Sequence, residues 1–249
     1  MKIVVLSSGS KGNVTYVEDA GKRLLLDIGM SCNFVEKSLK EIGVNAKDID
    51  AILLTHTHID HVCGLKKFYE KYQPQVYITT KMKKNLNNYV QNIELNYYEE
   101  EFNIFDFNLK IIKTSHDVDD SVGFIINDKL VYITDTGYIN EKYFSKLKNK
   151  EVYIIESNHD LEMLYNGEYP FHLKQRIASD VGHLSNADSA KYMKKLVGLK
   201  TKYIVLAHLS QENNTKEKAL ETYLEIIENP KFKIIITSQG ETSEVIEIW

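Results

Sequence analysis

The chain has 249 residues, of which 43% are hydrophobic and 27% charged, the balance of an ordinary globular protein. Its net charge of −4 gives no bulk attraction to nucleic acid, so a polyanion would have to be gripped by a local patch or through metal ions. Two cysteines, Cys32 and Cys63, make no disulfide framework and fit a reducing cytoplasm. The apolar run at 3–6 is too short for a signal peptide or a membrane span.

Residues 3–6 read as a first strand. A small polar loop with two glycines follows, Ser7-Ser8-Gly9-Ser10-Lys11-Gly12-Asn13. Residues 14–17 and 23–26 read as the next two strands, with a turn near Asp19-Ala20-Gly21 and Asp27 at the end. Residues 35–42 carry helical spacing and stop at Gly43. The apolar run Ala51-Ile52-Leu53-Leu54-Thr55 has strand length and delivers His56-Thr57-His58-Ile59-Asp60-His61 at its end. Three of the eight histidines and a carboxylate thus fall within one short stretch. Neutral imidazoles packed beside a carboxylate leave many polar atoms to satisfy, and a divalent metal satisfies them at once. Residues 64–72 read as a helix, 76–78 as a short strand and 81–90 as a polar helix.

Strands are next expected at 102–105, 108–113, 122–126 and 130–134, with Asn127-Asp128 as a hairpin turn between the last two. Helices are expected at 140–147, 171–178, 185–196 and 215–227. Ser185 stands three residues before Asp188, a pattern like a capping box. Strands at 152–155, 203–207, 232–236 and 245–248 complete the chain. No linker, low-complexity tract or short repeat interrupts it. It therefore reads as one domain, 1–249, of two packed sheets with helices outside.

Further ligand candidates recur at strand ends. Residues 110–113 precede Thr114-Ser115-His116-Asp117, residues 131–134 precede Asp135-Thr136-Gly137, and residues 203–207 precede His208. Strand ends that present His and Asp to one edge are how a metal site is held rigid. All the donors are nitrogen and oxygen, so zinc fits, and manganese or iron fits equally. Metal coordination lowers the pKa of water toward about 7, which gives a nucleophile at neutral pH.

HTHIDH, SHD, DTG and AHLS, in this order and with Leu26-Asp27-Ile28-Gly29 upstream, resemble the metallo-β-lactamase superfamily. The resemblance implies a four-layer αββα sandwich, an α/β fold. It implies that His56, His58 and His116 hold one metal ion and that Asp60, His61 and His208 hold a second. Asp135 would bridge the two, and Asp27 would orient a ligand histidine.

VLSSGSKGN at 5–13, ESNHD at 156–160, YPFHLKQRI at 169–177, GHLSN at 182–186 and AHLSQENN at 207–214 resemble the YycJ/WalJ type within that superfamily. Members of that type are regarded as nucleases, with 5′-to-3′ exonuclease action on double-stranded DNA proposed. Two of these segments also resemble parts of the zinc phosphodiesterases that trim tRNA 3′ ends, where a Glu and a His assist departure of the leaving oxygen. Glu156 and His183 fall at the matching positions. Asp60, Glu156 and His183 are thus the expected catalytic residues, with His183 the proton donor. Spacing alone reads residues 7–13 as a Gly-rich turn. The resemblance adds Ser8, Ser10 and Asn13 as phosphate contacts.

The expected protein is a cytoplasmic, metal-dependent phosphodiesterase and nuclease, a 5′-to-3′ DNA exonuclease. It would use two divalent metal ions (zinc or manganese, with iron as an option), a metal-bridging hydroxide as nucleophile, and no membrane. Alternatives are a small-molecule metallohydrolase, such as a cyclic phosphodiesterase or lactonase, and a non-catalytic binding protein on the same fold. The long Gly/Pro-rich arm of the tRNA-processing relatives is not evident. The second-site cysteine of many β-lactamases is replaced by Asp135. Cys63 reads as a small buried packing residue, Arg176 as half of a surface ion pair and His172 as an ordinary helix residue. The lysines at 66, 67, 71, 81, 83 and 84 read as solvated faces that would also steer a nucleic-acid backbone.

Overall fold

The computed structural model describes residues 1–87 and 90–249. Its backbone contacts divide them into two compact units, one of residues 1–108, 118–120 and 238–249, the other of residues 109–117 and 121–237.

In the first unit, apolar runs punctuated by tight turns make an antiparallel meander of β1 (Lys2–Ser7), β2 (Val14–Asp19) and β3 (Lys22–Leu26). The β2–β3 turn places Ala20 and Gly21 at φ of 48° and 77°, the conformation a two-residue hairpin demands. Helix α1 (Cys32–Glu41) starts where the Ser31 side chain accepts from Phe34 N, and Gly43, at φ 77°, follows its end. The pairing then turns parallel through β4 (Ala51–Leu53), β5 (Gln75–Ile78) and β6 (Leu95–Tyr97). Strand β4 is fully buried, as a parallel central strand should be, and its C-terminal end launches the histidine motif. That motif runs into α2 (Ile59–Val62), followed by α3 (Leu65–Tyr72) and α4 (Met82–Leu86). The expected helix at 81–90 is thus found over its first part, and residues 88 and 89 lie outside the described residues. Strand β6 was not anticipated. It is three residues long with a polar centre and shows no periodicity.

The second sheet begins with β7 (Glu101–Ile104) and β8 (Phe107–Lys113). It continues through β9 (Val122–Ile126), β10 (Leu130–Ile133), β11 (Val152–Glu156), β12 (Tyr203–Ala207) and β13 (Lys233–Ile236). The chain closes with β14 (Ile246–Glu247), which pairs with β1. The two sheets have the orders β14-β1-β2-β3-β4-β5-β6 and β13-β12-β11-β10-β9-β8-β7. Asn127 and Asp128 both take positive φ at the β9–β10 hairpin, as expected.

Strands β10 to β13 are parallel, and their apolar runs meet α8 (Asn186–Leu196) and α9 (Lys216–Ile226). Ile133, Ile155, Leu206, Leu184, Met193 and Tyr223 belong to the resulting core. Each fully buried side chain of this kind stabilises by about 1.5–3 kcal/mol before entropy is counted. Ser185 caps α8 as its spacing predicts: its hydroxyl accepts from Asp188 N at 3.1 Å and donates to the Asp188 carboxylate at 2.8 Å.

Three local expectations are corrected. Residues 140–147 form a 3₁₀ turn (Glu141–Tyr143) and then one turn of helix, α5 (Phe144–Leu147), because Asn140 caps the tighter turn through Lys142 N. An additional helix, α6 (Leu161–Asn166), starts at Asp160, whose side chain accepts from Met163 N; it precedes α7 (Phe171–Ile177). Cys63 is exposed, its thiol donating to Gly29 O, because it caps the short α2 instead of facing inward. Cys32 is the buried cysteine. Burial, then a hydrogen bond to Glu36, pushes its thiol up to about 11. Among the described residues no helix is long and apolar enough to cross a membrane.

Candidate metal and catalytic site

In the first unit the histidine motif stands on Asp27. This residue ends β3, is fully buried, and accepts from Thr55 N at 2.7 Å, Thr55 Oγ1 at 2.9 Å and His61 Nδ1 at 2.8 Å. The Thr55 hydroxyl has one proton, which goes to Asp27, so it accepts from His56 Nδ1 at 3.0 Å. Both imidazoles are therefore held as the tautomer that leaves Nε2 with its lone pair. The His56 ring lies 5.0 Å from that of His58 and 3.9 Å from that of His61, centroid to centroid.

Asn13 closes this cluster from the side of the small-residue loop. Its Oδ1 accepts from Gly9 N at 2.9 Å and from the Ser8 hydroxyl at 3.2 Å. Its Nδ2 lies 3.1 Å from His61 Nε2 and 3.4 Å from Asp60 Oδ2. Ser8 and Asn13 are buried and Ser10 is exposed. Gly29 explains why Leu26-Asp27-Ile28-Gly29 ends as it does. A Cβ there would stand 1.6 Å from the Asp60 carbonyl oxygen, so only glycine lets the motif pack this closely.

In the second unit Glu156, the last residue of β11, is the hub. Its Oε1 accepts from His183 Nδ1 and from His208 Nδ1, each at 2.8 Å. Its Oε2 accepts from Thr136 N at 3.0 Å and Leu184 N at 3.2 Å. Burial opposes ionisation of this carboxyl, but His183 and His208 outweigh it and bring its pKa down to about 2. A carboxylate accepts only, so both histidines carry their proton on Nδ1. His116 is set the same way by a different partner, its Nδ1 donating to Gly182 O at 3.2 Å.

The consequence is a convergence of acceptors. Asp135 Oδ1 lies 3.5 Å from His208 Nε2 and 3.8 Å from His116 Nε2, two lone-pair nitrogens facing a carboxylate oxygen. Asp135, Glu156, His183 and His208 each offer an atom within 4.8 Å of one another. Asp135 Oδ1 and the Nε2 atoms of His116 and His208 are acceptors that repel one another, and a divalent cation removes the repulsion, so these three fit a metal ion.

Backbone conformation adds a cost that the sequence does not advertise. Asp27, Asp135 and His208 take φ of 60°, 54° and 57° at the ends of three strands. The left-handed region costs an L residue about 1 kcal/mol or more, and Asp and His are among those that tolerate it. Strain repeated at three strand ends within the candidate site is what a functional site stores.

A family model described as the metallo-β-lactamase superfamily matches residues 8–208. The chain belongs to this superfamily. It is 37% identical to exodeoxyribonuclease YycJ of Bacillus anthracis, over 97% of this chain and 92% of that protein. It is 36% identical to exodeoxyribonuclease WalJ of Streptococcus pneumoniae serotype 2 (strain D39 / NCTC 7466), over 99% and 98% respectively. Among solved structures, the metallo-β-lactamase fold protein YhfI of Bacillus subtilis aligns with a TM-score of 0.75 at 16% identity, covering 97% of this chain and 98% of that one. The fold is therefore the αββα sandwich of the superfamily.

Arg176, His172 and His159 fall outside these clusters. Arg176 pairs with Asp117, its Nε donating to Oδ2 at 2.6 Å, and His172 is exposed on α7. His159 is buried, and burial lowers its pKa to about 4, so it packs as a neutral imidazole. The double use of Glu156 was missed, because a strand-end glutamate carries no sign of how many partners share it.

Glu156→Gln is expected to destabilise the metal-free protein by about 3 kcal/mol. The amide presents an N–H₂ either to two imidazole N–H groups or to two backbone N–H groups, and in both cases buried donors lose their acceptor. Thermal melting of the metal-free protein checks this: a drop of roughly 6–12 °C is expected for a chain of this size. A drop below about 2 °C would show that the hub is not needed for stability.

Proposed function

We propose that this metallo-β-lactamase-superfamily hydrolase is a dinuclear phosphodiesterase that degrades DNA as a 5′-to-3′ exonuclease. In this reading residues 1–249 act as one domain, which is supported by a family match that spans residues of both units. His56, His58 and His116 hold one ion, Asp60, His61 and His208 hold the other, and Asp135 serves both. The order of these residues along the chain, the superfamily's pattern and the lone-pair tautomers of His56, His61, His116 and His208 support that assignment. When bound, the ions would polarise the phosphoryl oxygen and provide an activated water at neutral pH.

The observation that carries the reading toward phosphodiesters is the placement of His183. Its Nδ1 is tied to Glu156 at 2.8 Å, and its side chain is 18% exposed, so Nε2 is the atom left to meet a substrate. In its imidazolium form, with Nδ1–H on Glu156, His183 gives the Nε2 proton to the leaving oxygen of a phosphodiester as the P–O bond breaks and is left as the neutral Nδ1–H imidazole. Glu156 does not touch substrate in this scheme; it sets the tautomer of His183 and of His208 together. Asp27 does the same for His61, directly, and for His56 through Thr55. Asp60 works beside His61, its Oδ2 3.6 Å from His61 Nε2. Ser8 and Asn13 shape the loop against this motif, and Ser10 is the loop's exposed phosphate contact. DNA as the polymer is supported by the near full-length similarity to two proteins named exodeoxyribonucleases.

The test is incubation of metal-reconstituted protein with single- and double-stranded DNA and RNA labelled at either end, across zinc, manganese and magnesium. Release of label first from the 5′ end of linear DNA, with covalently closed circles untouched, is the expected result. Intact linear DNA with every metal, alongside rapid turnover of a cyclic nucleotide or a lactone, would replace this reading by a small-molecule hydrolase.

A further inference from the structure

Beside the strand end that carries His116, the second unit has a cavity of about 170 Å³ that none of the groups above uses. Its lining comes from two short segments. Lys113, Thr114 and Ser115 lie where β8 ends, and Tyr138, Asn140, Lys142 and Tyr143 lie on the loop and 3₁₀ turn that follow β10. Two lysines and no acidic residue line it. Among the described residues the hydroxyls of Ser115, Tyr138 and Tyr143 have no hydrogen-bond partner inside the protein. Tyr138 is 40% exposed, an unusual position for so large a ring.

The cavity is coupled to the catalytic groups by a short run of hydrogen bonds. Ser115 N donates to Thr136 Oγ1 at 3.0 Å, Gly137 N donates to Ser115 O at 2.9 Å, and Thr136 N donates to Glu156 Oε2 at 3.0 Å. Ser115 precedes His116 in the chain, and Thr136 follows Asp135. The pocket is thus registered against two residues of the candidate centre and cannot drift from them.

Size and chemistry then select the occupant. The cavity is well below the roughly 300 Å³ of a pocket that encloses a whole small molecule, so it suits a group that belongs to something larger. Two lysines, of which Lys142 has its Nζ 4.9 Å from the Tyr143 ring centre, together with the Ser115 and Tyr143 hydroxyls match a phosphate, and the exposed Tyr138 ring matches a base stacked beside it. We propose that this cavity is a backbone subsite. It takes a phosphate of a single-stranded nucleic acid close to the one being cleaved, with Lys113, Lys142 and Ser115 as phosphate contacts and Tyr138 as the stacking surface. The subsite rests on the nuclease reading above and gives this acidic chain the local basic grip that its net charge of −4 withholds.

The experiment compares metal-loaded wild type with the double variant Lys113→Ala/Lys142→Ala. Both side chains are exposed, and an unchanged melting temperature establishes that the variant folds. Affinity for a fluorescent, phosphorothioate-capped single-stranded oligonucleotide is read by anisotropy over a range of salt. Hydrolysis of bis(4-nitrophenyl) phosphate, too small to reach the cavity, is read in parallel. The variant is expected to bind the oligonucleotide about 10-fold more weakly, with a salt slope lower by about 0.7 per lysine, and to hydrolyse the small diester as wild type does. Tyr138→Ala is expected to weaken binding with no change in that slope.

Equal affinity and slope for wild type and double variant, with wild-type DNA cleavage intact, overturn the subsite alone. Wild type that neither binds nor cleaves DNA overturns the nuclease reading itself. A double variant that loses inhibition by inorganic phosphate yet binds the oligonucleotide normally assigns the cavity to free phosphate and overturns the backbone subsite.

Discussion

Asp135→Asn lowers hydrolysis by about 10³-fold, roughly 4 kcal/mol of transition-state stabilisation, while leaving the metal-free fold intact. The carboxylate oxygen stands 3.5 Å and 3.8 Å from the Nε2 atoms of His208 and His116, an arrangement that a divalent cation makes compatible. Asparagine keeps the shape of the side chain and accepts a φ of 54° as readily as aspartate does, so the backbone is undisturbed. What is lost is one negative charge at the position proposed to serve both ions. Two measurements made together decide the matter. Metal content by elemental analysis is expected to fall from two ions per chain, and the melting temperature in chelator at pH 8 is expected to stay within about 2 °C of wild type. A fully active Asp135→Asn protein would end the dinuclear reading. A large drop in the chelator melt would show that the carboxylate is structural.

His183→Ala lowers turnover of DNA by about 10²- to 10⁴-fold with both metals retained. His183 is half-buried, whereas His56, His61, His116 and His208 are buried. Glu156 holds it through Nδ1, and its Nε2 meets the proposed substrate. A proton donor matters in proportion to how badly the leaving group needs a proton. The same substitution is therefore expected to cost little on bis(4-nitrophenyl) phosphate, whose leaving phenolate is stable without one. Equal losses on both substrates would mean that His183 binds the phosphoryl group and does not protonate the leaving oxygen. Near-normal DNA hydrolysis with metal retained would remove His183 from the mechanism.

Much of this protein was legible from its residues because ligand-rich loops interrupt apolar strands. The β4 run from Ala51 to Leu53 is featureless and buried, so the histidines that follow it stand out, and the same contrast marks His116, Asp135 and His208. The elements that escaped notice include β6, α2 and α6, which are three, four and six residues long and too short to show a period. Cys63 was misjudged because a small residue after a helical turn carries no sign of which way it faces.

The sequence by itself determined the candidate His and Asp residues, their order and the strands that carry them, since these follow from local alternation between apolar runs and His- and Asp-rich loops. Only the tertiary structure decided how those ligands are prepared. Asp27 grips His61 across 34 positions, and Glu156 grips His183 across 27 and His208 across 52. Tautomers depend on such distant partners, positive φ at Asp27, Asp135 and His208 depends on how their strands end, and the lysine-lined cavity depends on two segments meeting. Each is a relation between residues far apart in the chain, and a hydrogen bond between them exists only once the strands have paired.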